Sequence, residues 1–146
     1  MTIDLNISIR ERAAAARSAQ RRLGSAGGEA RSEVLRHLER LLGERESELI
    51  AANQHDLDAA KGTDLAEPLM KRLALTAEKL ETLREGVRQL IDLPDPIGRP
   101  LVRREIADGL VLEQVQAPLG VLLIIFESRP DAVIQIGSLA LRAGDA

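Results

Sequence analysis

The apolar residues of the first hundred positions recur at the spacing of helix faces. Two stretches show this spacing, residues 34–57 and residues 80–91, where apolar side chains lie three or four positions apart. The two faces consist of Val34, Leu38, Leu41, Leu42, Leu49, Ile50 and Leu57, and of Leu80, Leu83, Val87, Leu90 and Ile91. This periodicity predicts a mainly helical block over residues 1–100.

Residues that start and stop helices divide this block. Ser8 is a suitable N-cap for a first helix, and Gly24 is a suitable stop. A long second helix is expected to end at Gly62, with Gly43 as a weak point inside it. The last helix follows the N-cap Thr76 and ends before a pair of closely spaced prolines.

The pattern changes in the last third of the chain. Residues 101–117 hold two extended runs around Asp108–Gly109, and Asp-Gly between such runs is a strong hairpin signal. Val121–Phe126 is apolar at every position, which is typical of a central strand in a parallel sheet. Pro130 suits the first turn of a following helix, and Gly144 suits its end.

These elements predict an α/β fold in three parts. Residues 1–100 form the helical part, residues 101–117 a hairpin arm, and residues 118–146 the first strand and helix of a larger sheet. A strand, a turn and a helix make most of a βαβ unit, but its second strand is missing from these residues. The sheet is therefore expected to be incomplete.

Composition excludes several classes of function. A net charge of −3 and a single aromatic residue, Phe126, argue against nucleic-acid binding. The absence of cysteine excludes thiolate zinc sites and a cysteine nucleophile within these 146 residues, and two scattered histidines predict no metal site. No apolar run has membrane-spanning length, and Asp4 and Glu11 argue against a transit peptide. We expect a cytoplasmic protein without nucleic-acid or membrane partners.

The sequence FESRP, residues 126–130, is the strongest candidate for chemistry. It follows the predicted strand and enters the helix, at the edge where open α/β sheets bind ligands. A helix N-terminus favours phosphate or carboxylate, and Glu127, Ser128 and Arg129 add an acid, a hydroxyl and a guanidinium. Helix capping explains such polar residues equally well, so both interpretations stay open at this point.

The stretch PLGVLLIIFESRPDAVIQIGSLALRAGDA, residues 118–146, resembles the γ-glutamyl phosphate reductase family (glutamate-5-semialdehyde dehydrogenase) of the aldehyde dehydrogenase superfamily. That family has a P-L-G-V strand, an E-S/A-R-P turn and a helix that ends in S/A-G-N/D. Three upstream segments agree in the same order: AANQHDLDAAK at 51–61, LMKRLALT at 69–76 and DLPDPIGRP at 92–100. The resemblance covers nearly the whole chain.

The resemblance implies an aldehyde-dehydrogenase-like fold, of which these residues would be the N-terminal portion with the beginning of a Rossmann-like cofactor domain. It implies NADPH-dependent reduction of L-glutamyl 5-phosphate to L-glutamate 5-semialdehyde in proline biosynthesis. A cysteine thiolate would attack the acyl phosphate, phosphate would leave, and the thioester would accept hydride. The hairpin would correspond to an oligomerisation element, so a homodimer or higher homo-oligomer is expected.

The same resemblance implies roles for the turn. Glu127, Ser128 and Pro130 are assigned to cofactor binding, and Arg129 to the phosphate or carboxylate of the substrate. No catalytic residue is assigned, because the cysteine is absent from this chain. NADP binding by these residues alone is expected to be weak or absent. Asp145 stands where the family often has Asn and is expected to be a helix-end residue.

Two hypotheses follow for the chain as it stands. The first is an N-terminal fragment of the reductase, not catalytic by itself. The second is a stand-alone binding or oligomerisation module without enzymatic activity. A module needs a closed sheet and a covered core, whereas this chain ends on the helix of an unfinished βαβ unit with apolar faces exposed.

Overall fold

The computed structural model describes residues 8–63 and 65–146, so Asp4 lies outside the described residues. Six α-helices and one two-stranded sheet are present in this part of the chain. The helices are α1 (Ile9–Ser25), α2 (Gly28–Glu44), α3 (Glu46–Lys61), α4 (Glu67–Leu73), α5 (Ala77–Asp92) and α6 (Pro130–Ala143), and the strands are β1 (Pro100–Ala107) and β2 (Leu110–Val115). None of the described helices is long and apolar enough to cross a bilayer.

The helix boundaries follow the capping chemistry with two exceptions. Ser8 and Thr76 are confirmed as N-caps, and the Ser8 hydroxyl accepts a hydrogen bond from the Glu11 N–H at 3.3 Å. The first helix continues one residue past Gly24. The prediction of one long second helix is wrong, because the chain turns at Arg45 and forms α2 and α3 instead.

Contacts divide the chain into two compact units. One consists of the residues up to Arg31, with Pro94–Leu123 and Ala140–Ala146. The other consists of Ser32–Leu93 and Ile124–Leu139. These units do not coincide with the three predicted segments, since residues 118–146 contribute to both. This division by contacts does not test the predicted segments, whose boundaries stay a prediction.

The second unit has a leucine core. Leu42, Leu75, Leu80 and Leu83 form its buried cluster, with Leu38, Leu49 and Ile134 packed against it. The face predicted for α5 is confirmed, because its buried residues are Leu80, Leu83, Val87 and Leu90. On α2, Leu35 is buried as well as Leu42, whereas Val34, which was predicted for this face, is 46% exposed.

A buried amide and a carboxylate fix the helices of this unit. Asn53 on α3 donates to the Leu73 carbonyl at 2.9 Å and accepts from the Leu75 N–H at 2.7 Å. It therefore satisfies two backbone groups between α4 and α5. The Glu39 carboxylate on α2 accepts hydrogen bonds from the guanidinium groups of Arg84 and Arg88 on α5 at 2.8–3.1 Å.

The predicted hairpin is confirmed in the first unit. β1 and β2 pair in antiparallel fashion, and Gly109 takes the positive φ of 73° that the turn requires. Arg103 lies opposite Glu113, and their side chains form an ion pair at 2.8 Å. Every residue of both strands is exposed.

The structure assigns no strand to Val121–Phe126, so the prediction of a buried central strand is wrong for the described chain. Leu123 and Ile125 are 87% and 88% exposed. The physical reason is that a strand forms only beside a neighbouring strand. Among the described residues, Ala146 alone pairs with this segment. Ala146 donates to the Gly120 carbonyl at 3.0 Å and accepts from the Leu122 N–H at 2.7 Å, which is the bonding pattern of a parallel pair.

A buried ion pair holds the first unit together. Arg31 is 1% exposed, and its Nη2 donates to both carboxylate oxygens of Asp95 at 2.7 Å. Its Nη1 donates to the carbonyls of Leu23 and Ala26 at the end of α1. The Asp95 carboxylate also accepts from the Ile97 N–H at 3.1 Å. The pair thus joins the α1–α2 connection to the segment that precedes the hairpin.

Gly28 is required by this ion pair. A Cβ at position 28 would lie 2.8 Å from Cγ and 3.1 Å from Cβ of Asp95, whereas a Cβ at Gly86 on α5 would meet nothing within 4 Å. We expect Gly28→Ala to lower the free energy of unfolding by about 1–2 kcal/mol through overpacking. Gly86→Ala should raise it by about 0.5–1 kcal/mol through helix propensity. Urea unfolding of both variants would measure this, and equal effects would contradict it.

The ion pair also predicts a pH dependence. Burial raises the pKa of Asp95, but the Ile97 N–H and the Arg31 guanidinium outweigh it and hold that pKa below its usual range. A lowered pKa contributes stability that is full above about pH 4 and is lost as the pH falls through the folded-state value. Asp95→Asn should therefore cost about 2–3 kcal/mol at pH 7.

The Asp95→Asn cost should shrink as the pH falls below about 4. Asp108, an exposed carboxylate in the hairpin turn, offers a matched control in Asp108→Asn. Urea unfolding from pH 7 to pH 3 would measure both variants. A cost that is independent of pH would show that the Asp95 charge does not stabilise the fold.

Candidate functional site

The FESRP turn connects the exposed segment at Phe126 to the start of α6. Ser128 has a φ of +51°, the only positive φ of a non-glycine residue in the described chain. Left-handed backbone is unfavourable for a residue with a Cβ, and such conformations concentrate at functional turns. Pro130 is the first residue of α6, as predicted from its fixed φ.

Arg129 is held beside the first turn of α6. Its Nη2 donates to the Asp131 carboxylate at 3.0 Å and to Gln135 Oε1 at 3.4 Å. The hydrogen bond from Arg129 lowers the pKa of Asp131, against an opposing effect of burial. Asp131 therefore stays ionised and orients the guanidinium, while Arg129 remains about half exposed.

The structure brings three further cations to Arg129 that sequence reasoning missed. A cavity of about 480 Å³ is lined by Lys71, Arg72, Lys79, Arg129 and Asp131. These residues come from α4, α5 and the start of α6, all within the second compact unit. In the sequence, the basic pair Lys71–Arg72 lies within LMKRLALT, a segment that carries the family resemblance but gives no separate sign of a binding site.

The cations of the cavity differ in how they are held. Lys79 Nζ donates to the carbonyls of Lys71 and Ala74, which anchors it at the turn between α4 and α5. Lys71 forms an exposed ion pair with Glu67 at 2.8 Å. The exposed Arg72 side chain has no hydrogen-bond or ion-pair partner among the described residues. The site thus combines fixed positive charge with an available guanidinium.

The residues predicted to bind cofactor are less constrained. Glu127 is exposed, and its side chain has no partner in the part of the chain that the structure describes. Ser128 and Pro130 are partly buried. The Glu127 carboxylate and the Ser128 hydroxyl suit neutral hydrogen-bonding groups of a nucleotide better than its phosphates. The phosphates of a nucleotide suit the cationic cavity. The assignment of Glu127, Ser128 and Pro130 to the cofactor stays a prediction.

A second cavity of about 450 Å³ has a different character. Leu83, Val87, Leu90 and Leu139 are among its lining residues, and none of those residues is charged. It can accept an apolar group but offers no cation to an anion. Among the described residues no group of three or more potential metal ligands lies together.

Comparison with known proteins gives relatives along nearly the whole chain. The chain is 47% identical over 135 residues to γ-glutamyl phosphate reductase of Parasynechococcus marenigrum, which covers 92% of this chain and 31% of the relative. It is 45% identical over 137 residues to Δ1-pyrroline-5-carboxylate synthase of Mesembryanthemum crystallinum, covering 94% of this chain and 19% of the relative. No family model matches the chain.

The fold agrees with these relatives. The crystal structure of γ-glutamyl phosphate reductase from Saccharomyces cerevisiae superposes with a TM-score of 0.91 at 39% identity, covering 97% of this chain and 36% of that one. The match is to the N-terminal part of such structures. The chain is therefore homologous to γ-glutamyl phosphate reductases over nearly all its residues, which confirms the predicted resemblance, and it spans about a third of their length.

The backbone at Ser128 gives a test of the turn geometry. We expect Ser128→Gly to be more stable than Ser128→Ala by about 1 kcal/mol, because only glycine adopts the left-handed region without cost. At Ser18, an exposed position in the middle of α1, the order should reverse, since alanine favours a helix interior by about 1 kcal/mol over glycine. Urea unfolding of the four variants measures both differences. An alanine preference at both positions would contradict the positive φ.

Proposed function

We propose that this chain is part of a reductase that converts L-glutamyl 5-phosphate to L-glutamate 5-semialdehyde with NADPH in proline biosynthesis. The homology to γ-glutamyl phosphate reductases over nearly all its residues carries the proposal. The cationic cavity at Arg129 supports it, because the proposed substrate carries both a phosphate and a carboxylate. A cytoplasmic location belongs to the same proposal.

The residues of this chain would bind and orient rather than react. Arg129 would hold an oxyanion of the substrate, with Asp131 fixing the guanidinium in place. Glu127, Ser128 and Pro130 would lie against the cofactor, which supplies the hydride when bound. The 146 residues contain no cysteine, so a thiolate nucleophile would have to come from residues outside them. By themselves these residues would be non-catalytic.

A stand-alone binding or oligomerisation module is the second candidate, and one observation favours it. Both strands of the hairpin are exposed along their whole length, including Leu101, Ile106, Leu110 and Val115. An exposed apolar hairpin favours pairing with another chain. Self-association is compatible with both candidates, and we include a homodimer or higher homo-oligomer in the reductase proposal.

Two measurements separate the candidates. The denatured intact mass of the protein shows whether the purified chain has only the 15.9 kDa of these residues. A spectrophotometric assay then follows phosphate-dependent reduction of NADP⁺ by L-glutamate 5-semialdehyde, the reverse reaction. The reductase proposal requires a larger mass together with activity. A mass of 15.9 kDa with stable folding and self-association would favour the module.

In the active enzyme, Arg129→Ala should raise KM for L-glutamyl 5-phosphate by about tenfold or more, since a charge-assisted contact to the substrate is lost. Arg129→Lys should recover part of this, because the charge stays and the planar fork is lost. Arg45→Ala, which removes an exposed guanidinium paired with Glu48, should leave KM unchanged. Steady-state kinetics would measure the three variants. An unchanged KM for Arg129→Ala would overturn the assignment.

A further inference from the structure

The cavity at Arg129 has an excess of positive charge. Its lining contains four cationic side chains, from Lys71, Arg72, Lys79 and Arg129, and one carboxylate, from Asp131. Glu67 adds a second carboxylate through its ion pair with Lys71. Among the described residues, two of these positive charges therefore remain without a paired carboxylate. Surface cations usually disperse, so this convergence from three separate elements needs a reason.

The cations of the cavity also have N–H groups that donate no hydrogen bond to the described residues. Lys79 has three N–H donors and gives hydrogen bonds to two carbonyls, those of Lys71 and Ala74. Arg129 uses Nη2 alone toward Asp131 and Gln135, and its Nη1 and Nε have no partner among the described residues. No nitrogen of the Arg72 guanidinium has a hydrogen-bond partner among the described residues. An oxyanion with several acceptors can satisfy all three.

Asp131 acts as the internal counter-ion of the cavity. It pairs with Arg129 at 3.0 Å, and the positive charge of Lys79 also acts on its carboxylate. A bound anion would compete with Asp131 for the Arg129 guanidinium. The carboxylate thus orients the guanidinium while reducing the affinity for any anion that enters.

We propose that Arg72 and Lys79, together with Arg129, form a binding site for the phosphoryl group of the substrate, and that Asp131 limits its affinity. The inference rests on the proposed function for the source of the phosphate, and it adds two binding residues and an opposing one. Phosphate is favoured over carboxylate because a dianion with three oxygens matches several converging cations. A monoanionic carboxylate would leave part of the positive charge unpaired.

Inorganic phosphate is the probe that tests this site. The isotope-labelled chain is titrated with phosphate at constant ionic strength and pH 7.5, and amide shifts at 71–72, 79 and 129–131 are followed by NMR. We expect saturable binding with a Kd on the order of 1–10 mM. Acetate, which carries one charge, should bind at least about fivefold more weakly.

Single substitutions assign the contacts. Arg72→Gln and Lys79→Gln should each raise the Kd for phosphate about fivefold or more, and Asp131→Asn should lower it by a similar factor. Lys61→Gln is the matched control, because Lys61 is an exposed lysine paired with Asp58 away from the cavity. It should change the Kd by less than about twofold. Circular dichroism confirms that each variant retains its helices.

The outcomes are distinct. Non-saturable shifts, equal weakening by Lys61→Gln and Lys79→Gln, or acetate binding as tightly as phosphate would each overturn the phosphate site. Arg72 anchors no other group among the residues that the structure describes. An effect of Lys79→Gln without one of Arg72→Gln would therefore overturn the assignment of Arg72. Saturable phosphate binding, together with no reductase activity in a purified protein of larger mass than these 146 residues, would leave this site standing and reject the proposed function.

Discussion

The Arg31–Asp95 ion pair is the interaction on which the first compact unit depends. Arg31 is almost completely buried, so its charge would be costly without the bidentate carboxylate and the two carbonyls that surround it. These partners lie at the end of α1 and in the segment before β1. One side chain therefore fixes the path of the chain between elements that are 64 residues apart in sequence. Gly28 leaves the space that Asp95 occupies.

The segments that carry the family resemblance contain residues that hold the fold together. Asp95, in DLPDPIGRP, is the partner of Arg31. Asn53, in AANQHDLDAAK, binds the backbone of Leu73 and Leu75, which belong to LMKRLALT. Asp145 accepts a hydrogen bond from the Gly120 N–H at 2.7 Å, a role that asparagine can also perform. Much of the recognisable sequence thus encodes backbone connections rather than chemistry.

Local signals predicted the fold where the chain itself supplies the partners. The caps at Ser8 and Thr76, the buried face of α5 and the Asp108–Gly109 turn all depend on neighbours within a few residues. The break at Arg45 and the burial of Leu35 instead of Val34 depend on packing between helices, which periodicity alone does not specify. The exposure of Leu123 and Ile125 has the same origin, since a strand is buried only by its neighbours.

The candidate site was predicted only in part for a related reason. FESRP was visible because one short segment contains the acid, the hydroxyl and the guanidinium. Lys71, Arg72 and Lys79 lie some fifty residues earlier and join Arg129 only through folding. No local pattern distinguishes these three from other basic residues on exposed helices, such as Arg45 or Lys61.

The two backbone hydrogen bonds of Ala146 have a consequence for register. They place Ala146 level with Val121, so the two side chains point to the same side of the pleat. α6 ends before Gly144, whose φ is +76°. The number of residues from Gly144 to Ala146 therefore sets which residue lies opposite Val121. One residue inserted or deleted there would place a different residue opposite Val121, and the side chain of Ala146 would turn to the other side of the pleat. The short Gly144–Asp145 link thus determines which residue pairs with Val121.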